Sequence, residues 1–278
     1  AWTRPPKYVL LLGDASIDPR DYLGLGSVDY VPTWLIPTIY IKTPSDDWFT
    51  DFNNDGIGDL PVGRIPVKTA AEAALVIGKI ASRTTPSLAS SQKVLLVADS
   101  PDTFDFESEA AVAKNLMPGN FTVQTINIAQ DPSPHTNIVN GFNGGSLLVD
   151  YMGHGSVELW SFNLFNSNDA STLSNGSNLP FVMAMTCLNG YFHDVFTESL
   201  ASSLMKAPNG GAVAVWASST LTDPFPQFLM NRELLRQLVG GTQPTVGDAI
   251  KLAKQATTDI NVRRSWILFG DPSMKLTH

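Results

Sequence analysis

This 278-residue chain has a single cysteine, Cys187, so no intramolecular disulfide can form and the redox compartment cannot be read from bridges. It is also short of charge. Only 16% of residues are charged, and the 18 Lys and Arg are scattered without a basic run, leaving a net charge of −8. That denies the chain the counterion-releasing surface a phosphate backbone needs, so no nucleic-acid partner is expected. No apolar stretch approaches the roughly 18 residues of a membrane span, and Ala1 is not followed by the basic and apolar segments of a signal peptide. The glycines Gly24-Leu25-Gly26 and Gly210-Gly211 lack GxGxxG or Walker spacing, so no organic cofactor is expected. Neither a low-complexity segment nor a solenoid-length repeat is present.

What remains is a loop-rich globular composition, 43% hydrophobic with 21 Gly and 19 Pro, able to fill a real core. Short β-branched runs at 8–14, 36–41, 93–99, 121–128, 146–155, 181–187 and 211–219 read as buried parallel strands. Amphipathic or Ala-rich stretches at 69–83, 108–116, 197–207, 228–240 and 246–256 separate several of them. The alternation predicts an α/β architecture with helices covering a mainly parallel sheet. The polar segment Thr84 to Gln92 is the best internal boundary, dividing the chain near residue 88 into 1–88 and 89–278.

In open α/β sheets ligands gather at the carboxyl ends of strands, which directs attention to Asp14, Asp99, His154, Cys187, Ser218 and Ser219. His154 sits on a glycine-flanked turn, Gly153-His154-Gly155, and Cys187 ends the next apolar run 33 residues later, enough for a parallel crossover. An imidazole beside a thiol can take its proton or stabilise the thiolate, making a nucleophile. The backbone N–H groups of Gly155 and Cys187 are candidate donors to a developing oxyanion. The plain alternatives are a small buried thiol and a structural turn histidine. His193, six residues after the thiol, is the rival base; His135 and His278 have no supporting context.

A second motif lies in the first part. Asp51, Asn53, Asp55 and Asp59 take positions 1, 3, 5 and 9 around Gly56, with the Ile57 carbonyl at position 7, as in hard-cation loops. Val62 stands where a full EF-hand has its bidentate glutamate. The loop is therefore a candidate Ca²⁺ site of structural role, the alternative being an Asx-turn loop held by its own hydrogen bonds.

The strings YMGHGSVELW (151–160) and MTCLNGYF (185–192) resemble the His and Cys motifs of the gingipain family, peptidase family C25, a caspase-like group of cysteine endopeptidases. LLLGDASIDP, the segment 45–80 and the closing WILFGDPSMKL extend the resemblance, in order, over nearly the whole chain. It implies a caspase-like three-layer α/β sandwich of two subdomains, each with a mainly parallel sheet, and a polypeptide substrate cleaved through an acyl-enzyme on Cys187 with His154 as base. It also implies bound calcium, a secreted or cell-surface bacterial setting, and flanking domains beyond this segment. In such enzymes an acid from an earlier strand end orients the histidine. Asp99 is the expected position, with Asp102, Asp105 and Glu107 in the following loop left open and a turn or cap role the alternative for Asp99. Trp216, Ser218 and Ser219 are the expected wall of the substrate pocket, core packing being the alternative for Trp216. Asp46, Asp47, Asp194 or Asp223 could give that pocket an acidic base, or serve as surface caps. Arg64 either ties the two parts together by an ion pair or is a surface residue. A sortase-type transpeptidase using the same acyl-enzyme and a catalytically silent surface binding module remain as other readings.

Overall fold

The computed structural model describes residues 3–82, 92–240 and 242–276. In chain order they form β1 (Val9–Leu12), β2 (Trp34–Pro37), β3 (Lys42–Ser45), β4 (Val62–Ile65), α1 (Ala70–Ser82), β5 (Lys93–Ala98), α2 (Phe106–Leu116), β6 (Thr122–Asn127), α3 (Pro134–Asn143) and β7 (Leu148–Met152). There follow α4 (Ser167–Thr172), β8 (Phe181–Met185), α5 (Leu200–Lys206), β9 (Ala214–Ser218), α6 (Pro224–Val239), α7 (Val246–Gln255), α8 (Ile260–Ser265) and β10 (Trp266–Phe269).

The apolar runs pair into one eight-stranded sheet ordered β1-β4-β10-β9-β8-β7-β5-β6. Their pleat alternates the burial: Val94, Leu96 and Ala98 of β5 face the layer containing α2, α6 and α7, whereas Leu95 and Val97 face α1, α3, α4 and α5. Both faces are covered, which is why the strands read as continuous apolar runs. The expected three-layer α/β arrangement is therefore present. The two separate sheets are not: β1 and β4, from the first part of the chain, join the sheet through β10. The division near residue 88 falls outside the described residues.

One strand pair decides which ends can share a site. β10 runs antiparallel to β9 but parallel to β4, so the carboxyl ends of β1 and β4 point to the edge opposite those of β5, β7, β8 and β9. Asp14, after β1, consequently lies away from His154 and Cys187. Its carboxyl is buried and pushed up to about 6 by that burial, partly offset by Lys68.

The run 36–41 is not a buried parallel strand. β2 and β3 form a separate antiparallel hairpin, and residues 38–41 are its turn. Five other elements, β4, α3, α4, α8 and β10, escaped the pattern. β4 and β10 are each four residues long, too short to show a period. In α3 only Ile138 and Phe142 are buried, one i,i+4 pair among poor helix formers. α6 begins four residues before the expected 228, because the Asp223 side chain accepts from Phe225 N–H and Pro224 opens the first turn.

Arg64 is fully buried on β4. Its guanidinium donates to Asp46 from Nε at 2.6 Å and Nη2 at 2.8 Å, and to the Gly13 and Val31 carbonyls at 2.7 and 2.8 Å. It also lies 4.8 Å from the Phe192 ring centre. Arg64 thus gathers the first part of the chain and rests it on the loop that follows Cys187. No helix of the described residues is long and apolar enough to cross a membrane.

Candidate active site

β7 and β8 are parallel neighbours whose last paired residues are Met152 and Met185. His154 and Cys187 each stand two residues beyond that pair, on adjacent strand ends at the same edge. The glycines around His154 are required by packing: a Cβ on Gly153 would lie 2.5 Å from Asp99 Cβ, and one on Gly155 would lie 2.6 Å from Thr186 Oγ1. The turn therefore presses against the neighbouring loops and turns the imidazole outward, its side chain 56% exposed.

Cross-links hold the two loops in register. Tyr151 O–H donates to the His154 carbonyl at 2.6 Å, and its ring stacks on Trp160 with centres 4.1 Å apart. Trp160 Nε1–H donates to Asn189 Oδ1 at 3.0 Å, and Asn189 Nδ2 donates to the Ser156 carbonyl at 2.6 Å. A residue two positions after the thiol thus clamps the loop that carries the imidazole. The Tyr151 hydroxyl is held well above its ordinary pKa, first by burial and then by the negative charge of Asp99 and Cys187. Tyr151, Trp160 and Asn189 were missed as site residues; the aromatic beginning YMGHG and the asparagine of CLNG were the available signals.

Cys187 is partly exposed. Thr222 N–H donates to its Sγ at 3.4 Å, and the Thr222 carbonyl lies 3.8 Å from the same sulfur as an acceptor for the thiol. Leu188, directly after it, has a φ of 61°, left-handed backbone that a branched side chain adopts at a cost of roughly 1–3 kcal/mol. Bonds from Leu188 N–H to the Thr220 carbonyl (3.1 Å) and Gly190 N–H to the Ser218 carbonyl (2.8 Å) hold it there. Among the described residues, neither Gly155 N–H nor Cys187 N–H donates to a protein acceptor.

The acid expected on the imidazole is not Asp99. Asp99 is buried, and its carboxylate accepts from two backbone amides, Ser100 N–H at 2.7 Å and His154 N–H at 3.1 Å. The carboxylate on the ring is Asp102, whose Oδ2 lies 2.7 Å from His154 Nε2. Asp102 is held below the usual carboxylate range, first by the Phe104 N–H it accepts and then by His154. Asp105 caps α2 through Ser108 N–H at 2.9 Å, and Glu107 accepts from Gln130 at 2.8 Å. Phe106 sets its ring edge-on to the imidazole, centres 5.3 Å apart.

His193, the rival base, is buried with both ring nitrogens unpartnered, and burial pushes it down to about 4. Its ring packs on Tyr191, centres 4.3 Å apart. The expected pocket wall is also displaced. Trp216 is wholly buried against Trp266, centres 5.8 Å apart, while the Ser218 and Ser219 hydroxyls donate inward to the Thr220 and Pro44 carbonyls. These three residues are core and staple, with no face on an open cleft. Asp46 and Asp47 are likewise spent inside, on Arg64 and Lys254.

In the 51–59 loop, where calcium was expected, the side-chain oxygens turn onto the loop's own amides. Asp51 accepts from Asp55 and Gly56 at 3.0 and 2.8 Å, Asn53 from Asp55 at 3.1 Å, Asp55 from Ile57 at 2.9 Å and Asp59 from Phe52 at 2.9 Å. Arg263 and Arg264 brace the same loop through the carbonyls of Asp55 and Asn54. Among the described residues no three His, Cys, Asp or Glu side chains converge as a metal-holding group. The arrangement is that of an Asx-turn network.

The family model of Peptidase family C25 matches residues 1–277. The chain belongs to peptidase family C25. It is 28% identical over 152 residues to gingipain R2 of Porphyromonas gingivalis, a stretch covering 50% of this chain and 20% of that protein. Gingipain R1 of the same organism is similar at 28%, over 50% of this chain and 15% of its own length. The crystal structure of the Arg-specific cysteine proteinase gingipain R (RgpB) superposes with a TM-score of 0.79 at 24% identity, covering 97% of this chain and 64% of that one. The complex of the P. gingivalis RgpB pro- and mature domains gives 0.77 at 22%, over 96% and 64%. The caspase-like fold is thus shared almost throughout. This C25 chain spans about a fifth or less of the curated relatives' length and under two thirds of the solved chains.

Proposed function

We propose that this C25 chain is a cysteine endopeptidase in which Cys187 is the nucleophile and His154 its general base. The observation that carries the reading is the pairing of a partly exposed thiol and an exposed imidazole two residues beyond the same strand pair, with a carboxylate on the imidazole. Sγ attacks the scissile carbonyl carbon as its proton passes to the imidazole. The imidazolium then gives that proton to the leaving amine as the C–N bond breaks, leaving a thioester on Cys187. Water, deprotonated by the same imidazole, hydrolyses it and restores the thiol. Gly155 N–H and Cys187 N–H, free of protein acceptors, are the donors we assign to the oxyanion at both tetrahedral stages. Asp102 steadies the ring and the charge it acquires, while Asp99 holds the turn beneath.

The test is direct. Rapid iodoacetamide labelling of Cys187 at neutral pH, lost in His154→Ala, together with cleavage of a fluorogenic peptide library by the wild type, is the expected result. Sluggish labelling and no cleavage would sink the proposal in favour of a silent binding module; an added amine that captures the acyl group would mark a transpeptidase instead. By family membership we place the protein outside a bacterial cell or on its surface, with further domains flanking this segment. Calcium at 51–59 belongs to the same proposal as a structural ion only, using the lone pairs left on Asp51, Asn53, Asp55, Asp59 and the Ile57 carbonyl.

A further inference from the structure

We propose that the β2–β3 hairpin forms one wall of the substrate cleft, and that Ile39 and Tyr40 at its tip select an apolar side chain on the polypeptide. The inference rests on Cys187 being the nucleophile. A continuous hydrogen-bonded path joins the hairpin to that residue. Thr43 Oγ1 donates to the Ser219 carbonyl, and Ser219 Oγ donates to the Pro44 carbonyl at 2.7 Å. The Thr38 and Thr220 hydroxyls lie 3.3 Å apart. The Thr220 carbonyl accepts from Leu188 N–H at 3.1 Å, and two residues on, Thr222 N–H points at Sγ. The hairpin is thus fastened to the segment that meets the thiol, through the buried Thr43, Ser219 and Thr220.

The turn needs nothing from its own tip side chains. Thr38 Oγ1 accepts from Tyr40 and Ile41 N–H at 3.2 and 3.1 Å and donates to the Ile41 carbonyl at 2.8 Å, which also accepts from Thr38 N–H at 3.0 Å, so the turn is closed by Thr38 and the backbone. Ile39 is nevertheless 74% exposed and Tyr40 49%. Leu221, next to Thr220, and Phe225 are also exposed, so the segment that meets the sulfur carries exposed apolar groups of its own. Single exposed apolar residues are ordinary, but a group of them bordering a reactive thiol marks a recognition surface. The tip turn 38–41 carries no carboxylate, so this wall has nothing to pair with a basic side chain.

The experiment compares wild type, Ile39→Ser, Tyr40→Ser and Tyr40→Phe on internally quenched peptides varied one position at a time, with the iodoacetamide labelling rate of Cys187 measured alongside. A preference for apolar residues at one position is expected in the wild type. It should fall about tenfold in kcat/KM in Tyr40→Ser, as withdrawing roughly 50 Å² of apolar burial gives, and survive in Tyr40→Phe, with labelling and Tm unchanged. Profiles that superimpose on the wild type, or a wild type with no apolar preference, overturn this inference alone. A wild type that labels sluggishly and cleaves no peptide overturns the peptidase reading and this one with it.

Discussion

Two aspartates hold His154, Asp102 by its ring and Asp99 by its backbone N–H, and replacing each by asparagine separates their tasks. Asp102 and His154 side chains are 45% and 56% exposed, so water screens the pair and its contribution stays within about 1 kcal/mol despite the 2.7 Å contact. Asp102→Asn keeps the shape and is expected to lower kcat/KM by no more than roughly fivefold, with Tm unchanged. Asp99 is 1% exposed and accepts from two amides. In Asp99→Asn one of those amides faces an NH₂ donor, leaving a buried donor unsatisfied at a cost of about 1–3 kcal/mol. For a chain of this size that corresponds to a Tm lower by roughly 2–5 °C. By comparison, loss of the base in His154→Ala should remove about 10²–10⁴ in rate. Steady-state kinetics and differential scanning fluorimetry on the three variants decide the matter. A thousandfold loss in Asp102→Asn at unchanged Tm would refute the solvent-screening argument, and an unchanged Tm in Asp99→Asn would refute the turn-holding role.

Arg64→Leu leaves Asp46 buried without its partner and should cost about 3–5 kcal/mol, read as a Tm drop on the order of 10 °C; a shift within the measurement error would show that the pair contributes little. Asp150, buried on β7 with Asn231 Nδ2 on one oxygen, is pushed up by burial to about 7 from 3.8. The native state therefore holds this proton where the unfolded chain has lost it, and stability falls as pH rises through that window. His193, pushed down by burial from 6.5 to about 4, acts with the opposite sign, losing stability as pH falls through its own window. Urea midpoints from pH 5 to pH 8 should thus decline less in Asp150→Asn than in wild type, and equal slopes would count against the assignment. Calcium should raise Tm reversibly with EGTA, the response disappearing in Asp51→Ala; a wild type indifferent to both means the Asx-turn network suffices.

How far the sequence reached can be judged from particular residues. The apolar runs of β5, β7, β8 and β9 were legible because both faces of the sheet are covered, and burial on two sides removes polar residues from the pattern. The placing of His154 and Cys187 at neighbouring strand ends was legible because each follows an apolar run, and flanking glycines mark a turn under close packing. Asp99 was preferred over Asp102 for the ring and the preference failed, since which of two carboxylates three residues apart meets a ring and which meets an amide depends on how the loop folds back.

The order of strand types, the helical cover and the chemistry of the thiol and imidazole are properties of the chain itself, because local period and side-chain type determine them. The direction of β10 is not. That one antiparallel pairing, a contact between segments about 50 residues apart, separates Asp14 from His154 and gathers both parts into a single sheet. The burial of Trp216, Ser218 and Ser219 and the tie of the β2–β3 hairpin to Ser219 and Thr220 are likewise decided by packing between distant segments. No window along the sequence contains those contacts.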